Sequence, residues 1–217
     1  LEEVTIEANG LDPAYPVIRG AMKKRKVYLK EVEAYQCDVY VKGSERILDK
    51  PEKFMGYKVT DEMMGILDTQ SNIVSLSESE SKFYFKQPRT MKDEMISSKV
   101  SGDNSRLSWN GTSDVYFNLY EGLVEIYFNE RGLVSPIAPS AMLYYKYKLL
   151  GSFYENGQKV YKIKVIPKRK IDPVFKGELF ILDESFRIHS ADLVVGKGAQ
   201  IDFVDSVIFK QVNVPVN

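Results

Sequence analysis

The sequence predicts an α+β fold in which a large antiparallel sheet carries helices on one face. The main observation is the run at 144–166, where apolar residues alternate with lysines on both sides of Asn156-Gly157. Period-two alternation across an Asn-Gly pair is typical of a β-hairpin with one buried face. The same alternation returns at 177–183, 186–194 and 200–214, while helix signals cluster in two other places. Strands and helices grouped in this way indicate α+β.

The elements before the hairpin follow from local signals. Asp12-Pro13 predicts a helix start, and the Lys23-Lys24-Arg25-Lys26 cluster suits the negative end of the same helix. Alternating residues then predict strands, a Ser113-Asp114 pair predicts a cap for a second helix, and Ser140 predicts a short helical turn. The strands are expected at 34–41, 72–86 and 91–100, and the second helix at 115–125, for a total of nine or ten strands and two or three helices.

Composition excludes several classes of protein. Thirty basic residues balance thirty acidic ones among 217 residues, so no net field favours nucleic acid. No apolar run reaches the roughly 18 residues of a membrane-spanning helix. Residues 1–11 lack the basic head and apolar stretch of a signal peptide. We expect them to be a linker or the last strand of a preceding β-sandwich, and 12–217 to form one domain.

Long, similarly ordered motifs across most of the chain resemble a domain of Bacteroidota outer-membrane proteins. They include Ser135-Pro136-Ile137-Ala138, Asp12-Pro13-Ala14-Tyr15 and the segments 35–43, 95–104, 144–151, 165–169 and 172–177. Members of that family carry a carboxypeptidase-regulatory-like domain before this region and an outer-membrane β-barrel after it, and their function is unassigned. The resemblance implies a periplasmic location attached to the outer membrane, with the β-barrel of the same polypeptide as a partner.

A second resemblance concerns the fold. The strand ending in Lys164-Val165-Ile166-Pro167-Lys168, followed by 177–183 and a turn into 186–194, is similar in order to lipoprotein-carrier (LolA-like) domains. Those domains are unclosed, curved half-barrels whose helices cover a concave face that holds acyl chains. The resemblance implies the same architecture here, but a shared fold does not by itself establish function.

Residues for catalysis are sparse. His189 is the single histidine, and without a Cys pair or H-E-x-x-H spacing the sequence predicts no metal site and no cofactor. We expect His189 to be a partly exposed strand residue. Glu78 and Glu80 share one face of a strand, which we expect to face solvent. These three residues are the best candidates for the site of a hydrolase. Cys37, the single cysteine, is expected to be a small buried apolar residue.

Aromatic residues carry the main functional hypothesis. They are expected either to pack as an ordinary core or to line a hydrophobic cavity for a lipid, an acyl chain or a protein segment. The predicted function is therefore a non-enzymatic binding domain, with a structural spacer or gate docked on the β-barrel as the alternative and a hydrolase as the third hypothesis. The predicted cavity residues are Phe83, Phe85, Trp109, Tyr116, Phe117, Tyr120, Tyr145 and Tyr147.

Overall fold

The chain folds into two compact units. The computed structural model describes residues 10–47, 52–55, 57–102, 111–112, 116–126, 129–196 and 206–213. Leu1–Glu31 together with Phe117–Asn217 form the five-stranded unit, and Val32–Tyr116 form the three-stranded unit. Strands predominate and the sheets are not closed, which confirms a sheet-rich α+β fold. Within the described residues the strands form four sheets, whereas the sequence predicted one large sheet.

The three-stranded unit is built on long antiparallel strands. Its main sheet has the order β1-β4-β5, and the predicted strands at 34–41, 72–86 and 91–100 are confirmed. A second, short pair joins β2 and β3. The bounds are β1 Ala34–Arg46, β2 Lys53–Phe54, β3 Tyr57–Lys58, β4 Ile73–Lys86 and β5 Thr90–Gly102.

The five-stranded unit contains the helices and a sheet of order β12-β11-β10-β9-β8, with all neighbours antiparallel. A separate pair joins β6 and β7. The bounds are α1 Ala14–Lys30, β6 Leu123–Ile126, β7 Asn129–Val134, α2 Ala141–Tyr144, β8 Tyr145–Glu155, β9 Gln158–Pro167, β10 Lys176–Leu182, β11 Ile188–Gly196 and β12 Ser206–Val212. Among the described residues, neither helix has the length and apolar composition needed to cross a membrane.

The predicted hairpin is confirmed as β8 and β9. Glu155 pairs with Gln158 across a two-residue loop, and the loop residues Asn156 and Gly157 have φ values of 50° and 77°. Positive φ at both central positions defines the turn that matches the twist of two antiparallel strands, and Asn-Gly adopts it at the least steric cost. The turn therefore sets the register of the hairpin from Glu155 back to Gly151, where the register shifts.

The first helix begins where the sequence predicted. One carboxylate oxygen of Asp12 accepts hydrogen bonds from the main-chain N–H groups of Ala14 and Leu149, each at 2.9 Å. Asp12 thus caps the helix and fixes its start to strand β8. The helix continues to Lys30 rather than ending near Lys26, because its last turn has a tertiary contact: the ring of Tyr28 packs on a loop aromatic residue.

The predicted second helix at 115–125 is wrong over the described residues. Residues 116–122 form turns and irregular chain, and Leu123–Ile126 is strand β6. The side chain of Asn118 accepts a hydrogen bond from the N–H of Tyr120 at 3.0 Å, and its carbonyl accepts one from the N–H of Glu121. Such an Asx turn gives the main chain an alternative to helical bonding.

Candidate functional site

The candidate site is one face of the three-stranded sheet, which we call the serine–aromatic face. Burial along β4 alternates with period two, so one set of its side chains points to a common side. Those buried residues are Ser75, Ser77, Ser79, Ser81, Phe83 and Phe85. Their cross-strand neighbours on the same face include Tyr35, Cys37, Val39 and Val41 of β1, and Met91, Asp93 and Met95 of β5. The face is apolar at one end and rich in hydroxyl groups at the other.

The opposite face of this sheet is charged. Lys42, Glu78 and Lys99 lie side by side on the three strands, and the Lys42 ammonium is 3.0 Å from the Glu78 carboxylate. The hydrogen bond and positive charge of Lys42 lower the pKa of Glu78. Glu80 is exposed on the same side. The expectation that the two glutamates face solvent is confirmed, and cross-strand pairs of opposite charge favour this register.

Four aromatic rings form the apolar end of the serine–aromatic face. Tyr35 stacks on Phe85 with ring centroids 5.2 Å apart and packs on Phe83 at 6.1 Å. Tyr116 stacks on both phenylalanines, at 6.0 and 6.4 Å. Tyr35 is 38% exposed, and burial is the main cause that raises its pKa to about 12, with a further effect of Tyr116. The structure thus joins three predicted residues with Tyr35, which the sequence analysis missed although its strand alternates.

A polar group of side chains lies beside these rings. Asp93 pairs with Phe83 across β4 and β5, and its Oδ2 accepts a hydrogen bond of 2.6 Å from the main-chain N–H of Thr112. Within the part of the chain that the structure describes, Asp93 Oδ1, Thr112 Oγ1 and Ser81 Oγ are buried and have no hydrogen-bond partner. An unpaired buried polar atom costs about 1–3 kcal/mol. This part of the face is therefore unusual among folded proteins, which pair nearly all such atoms.

Four other predicted cavity residues lie in the five-stranded unit. Phe117 packs on Phe209 with ring centroids 4.9 Å apart, and the Tyr120 hydroxyl accepts a hydrogen bond from a strand N–H at 2.9 Å. Tyr145 and Tyr147 are buried in the core, where burial is the main cause that raises the pKa of both phenols. Trp109 lies outside the described residues.

The same unit holds a pocket beside His189. The His189 side chain is 16% exposed, and its Nε2 lies 3.1 Å from a carboxylate oxygen of Glu155, a partner that the sequence analysis missed. The pocket has a volume of about 340 Å³ and is lined by Glu155, Asn156, Gln158, Leu182, Arg187, Ile188, His189 and Asn213. The expected partly exposed strand position of His189 is confirmed. None of the predicted aromatic residues that the structure describes lines this pocket.

Reactive groups of other kinds are not assembled in the part of the chain that the structure describes. No group of three or more His, Cys, Asp or Glu residues there could hold a metal ion. Cys37 is half-buried rather than fully buried, and burial raises the pKa of its thiol, with a smaller effect of Asp38. A raised pKa keeps this thiol protonated and weakly nucleophilic.

These features define a sheet-rich α+β protein whose candidate site is a sheet face of rings, hydroxyl groups and one carboxylate. The chain belongs to the family of unknown function DUF5686, whose model matches residues 17–217. The predicted membership of a family without an assigned function is confirmed. No curated protein and no solved structure matches the chain.

Proposed function

We propose that this protein is a non-enzymatic binding domain whose serine–aromatic face holds the apolar part of a lipid-like ligand. The supporting observation is the cluster of Tyr35, Phe83, Phe85 and Tyr116 at the end of a face that continues as hydroxyl groups. Small-molecule sites are mostly apolar with a few placed polar groups. This combination is what an amphiphile requires, since its chain needs apolar contacts and its head group needs hydrogen bonds.

Access to the rings from the β1 edge supports the proposal. Tyr35 is partly exposed, and Cys37 and Val39 further along the same strand are half-buried. Toward the centre of the sheet, Phe83 is 1% exposed. Burial therefore rises from the edge strand to the central strand, and we propose that an alkyl chain enters beside Tyr35.

The cellular setting is part of the proposal. The resemblance to Bacteroidota outer-membrane proteins supports a periplasmic domain attached to the outer membrane, next to the β-barrel of the same polypeptide. The strand order at 164–168, 177–183 and 186–194 supports a LolA-like half-barrel. In that setting, a lipid or an acyl chain is the expected class of ligand.

Fluorescence of 1-N-phenylnaphthylamine, an apolar dye, tests the binding proposal. Tyr35→Ala removes a ring from the apolar end, so we expect the affinity for the dye to fall about five- to tenfold, as loss of aromatic contacts worth about 1 kcal/mol predicts. Tyr40→Ala is the matched control, because Tyr40 lies on the charged face of the same strand and is 58% exposed. Equal dye affinity in the two folded variants would contradict a binding site on this face.

A structural spacer that docks on the β-barrel is the second candidate function. It is supported by the core of the five-stranded unit, where the hydroxyl groups of Tyr145 and Tyr147 are bonded to the main-chain carbonyls of Val134 and Pro136. A core of this kind favours rigidity over ligand exchange. Failure of the wild-type protein to bind the dye, with no lipid recovered by solvent extraction, would favour this candidate.

A further inference from the structure

The pocket beside His189 belongs to the five-stranded unit, so the serine–aromatic face does not include it. Its walls come from the β8–β9 turn, the end of β10, the start of β11 and the residue that follows β12. Its volume of about 340 Å³ lies at the lower end of the range for small-molecule sites and equals that of about eleven water molecules at roughly 30 Å³ each. A ligand the size of a six-membered ring with its substituents fits this volume.

Arg187 supplies hydrogen-bond donors that are held in place. Its two Nη atoms donate to the two carboxylate oxygens of Glu31, each at 2.7 Å, and its guanidinium lies over the ring of Tyr28 at 4.2 Å. A guanidinium has five N–H donors, of which Glu31 accepts two, and the other three can serve further acceptors. Because the charge of Glu31 balances that of Arg187, this wall of the pocket presents donors without a net positive charge.

Glu155 and Asn213 supply acceptors that are held in place. One oxygen of Glu155 lies 3.1 Å from His189 Nε2, and its second oxygen remains able to accept hydrogen bonds. The main-chain N–H of Asn213 donates to the His189 carbonyl at 3.0 Å, and its side-chain Nδ2 donates to the Ile188 carbonyl at 3.2 Å. These two bonds fix Asn213 to strand β11 and leave its amide oxygen as an acceptor.

The other described residues of the pocket wall carry no full charge. Asn156 and Gln158 are exposed, and their side-chain amides can both donate and accept. Leu182 is half-buried and Ile188 is buried, and they add an aliphatic surface. The pocket thus combines fixed donors, fixed acceptors, exposed amides and a small apolar patch.

These groups together select a neutral ligand rich in hydroxyl groups. A hydroxyl both donates and accepts, so neighbouring hydroxyl groups of one sugar ring can bond to a guanidinium and to a carboxylate at once, while the C–H groups of the ring contact the aliphatic surface. An anion would lie beside the Glu155 carboxylate and a cation beside the Arg187 guanidinium, and each would meet a like charge. A zwitterion would gain little from Arg187, whose charge Glu31 already balances.

We infer that this pocket binds a neutral sugar ring through Arg187, Glu155 and Asn213. Arg187 donates to ring hydroxyl groups, Glu155 and Asn213 accept from them, and the exposed amides of the β8–β9 turn bond to the remaining hydroxyl groups. This inference goes beyond the proposed function and does not rest on it, because the pocket and the serine–aromatic face belong to different units.

Chemical-shift changes of the isotope-labelled 217-residue chain test this inference. The first probes are the methyl glycosides of glucose, galactose and mannose, which are neutral rings that differ in the orientation of their hydroxyl groups. An open pocket with a few polar contacts should bind the best of them with a dissociation constant of about 1 mM. We expect the largest shifts at Gln158, His189 and Asn213.

Charged relatives of the best-binding ring test the choice of a neutral ligand. Its uronic acid adds a carboxylate, its amino sugar adds an ammonium, and glycylglycine is a zwitterion without a ring. We expect each of the three to bind at least about fivefold more weakly than the neutral glycoside, because of the like charges in the pocket wall. Equal or tighter binding of any of them would overturn the assignment of a neutral sugar.

Variants assign the binding to the pocket. Glu155→Gln replaces a charged acceptor by a neutral amide and should weaken binding about five- to tenfold, and Gln158→Ala should weaken it about threefold. Glu184→Gln makes the same chemical change as the first variant at an exposed turn residue outside the pocket wall and should behave as wild type. Circular dichroism confirms that each variant is folded, and the exposed position of Gln158 keeps that variant informative if Glu155→Gln does not fold.

The outcomes separate this inference from the proposed function. Absence of shifts at the pocket residues with all three glycosides at about 10 mM, tenfold above the expected dissociation constant, overturns the sugar site. Sugar binding that Glu155→Gln and Gln158→Ala leave unchanged overturns its location. Neither result alters the binding of 1-N-phenylnaphthylamine on the serine–aromatic face, and a protein that binds a glycoside but not the dye would support this inference while contradicting the proposed function.

Discussion

In the five-stranded unit, buried hydroxyl groups are bonded to the main chain. The Ser135 hydroxyl donates to the Leu119 carbonyl and accepts from the Ile137 N–H, and the Tyr145 hydroxyl makes a similar pair of bonds. In the three-stranded unit, Ser81 is buried to the same degree, but its hydroxyl has no partner among the described residues. Ser135 and Ser81 are thus equally buried, with opposite results for hydrogen bonding.

We interpret this difference as a division between residues that stabilise the fold and residues of the proposed binding face. Fully paired buried polar groups make a core rigid and specific. Unpaired buried groups lower the stability of a fold, and their presence at a functional site is explained when a ligand supplies the missing bonds. Stability measurements on matched variants of the two units therefore test this division without knowledge of the ligand.

Tyr145→Phe should have the largest effect. It leaves the Val134 carbonyl and the Phe175 N–H without the phenol that joins them, and each unpaired buried group costs about 1–3 kcal/mol. We expect the free energy of unfolding to fall by about 2–4 kcal/mol in chemical denaturation. Tyr154→Phe, at a 67% exposed position of the same strand, should change it by less than about 0.5 kcal/mol. Similar losses in the two variants would contradict a paired core.

Two serine variants compare the units directly. Ser135→Ala removes a hydroxyl with two partners and should lower the free energy of unfolding by about 1–3 kcal/mol. Ser81→Ala removes a hydroxyl without a partner and should leave it unchanged or raise it by up to about 1 kcal/mol, because no desolvated donor remains. Thermal or chemical unfolding of the ligand-free protein measures both. A loss in Ser81→Ala as large as that in Ser135→Ala would remove the contrast.

Much of the fold was predictable because its signals are local. The β8–β9 hairpin follows from Asn156-Gly157, whose conformational preference acts regardless of the rest of the chain. Strand β4 follows from its alternation. The prediction of a helix at 115–125 was wrong because it relied on a capping pair. It took no account of the Asx turn at Asn118 or of the strand that pairs with Leu123–Ile126. Strand pairing between distant segments is not encoded in one short window.

The candidate site was predictable only in part for the same reason. The alternation of β4 put Phe83 and Phe85 on one face. Asp93 was not selected, because its position opposite Phe83 depends on how β5 pairs with β4 across the turn at 87–89. A shift of one residue changes which side chains face the site. The predicted residues of the five-stranded unit were chosen for their aromatic character, a property that a core and a cavity share.

The smallest effects on stability in this comparison are expected from surface ion pairs. Arg187 donates two hydrogen bonds of 2.7 Å to Glu31 and stacks on the ring of Tyr28 at 4.2 Å. The hydrogen bonds from Arg187 are the largest cause that lowers the pKa of Glu31 below its usual 4.5. Burial opposes this shift, and the charge of Arg187 lowers the pKa further by a smaller amount. A lowered folded-state pKa means that the charged form stabilises the fold. This contribution is complete above pH 4.5 and is lost as the pH falls through the folded-state pKa.

Glu31→Gln should therefore reduce the free energy of unfolding by no more than about 1 kcal/mol at pH 7, since both side chains are nearly half exposed and solvent screens the pair. The difference from wild type should disappear in acid, below the folded-state pKa. Glu78→Gln breaks the ion pair of the three-stranded unit, in which the single ammonium of Lys42 lies 3.0 Å from the Glu78 carboxylate, and should change stability less. Urea unfolding between pH 3 and pH 7 measures both. If the stability of the two variants depends on pH to the same extent, then bidentate hydrogen bonds and ring stacking add nothing to the stability contributed by a surface ion pair.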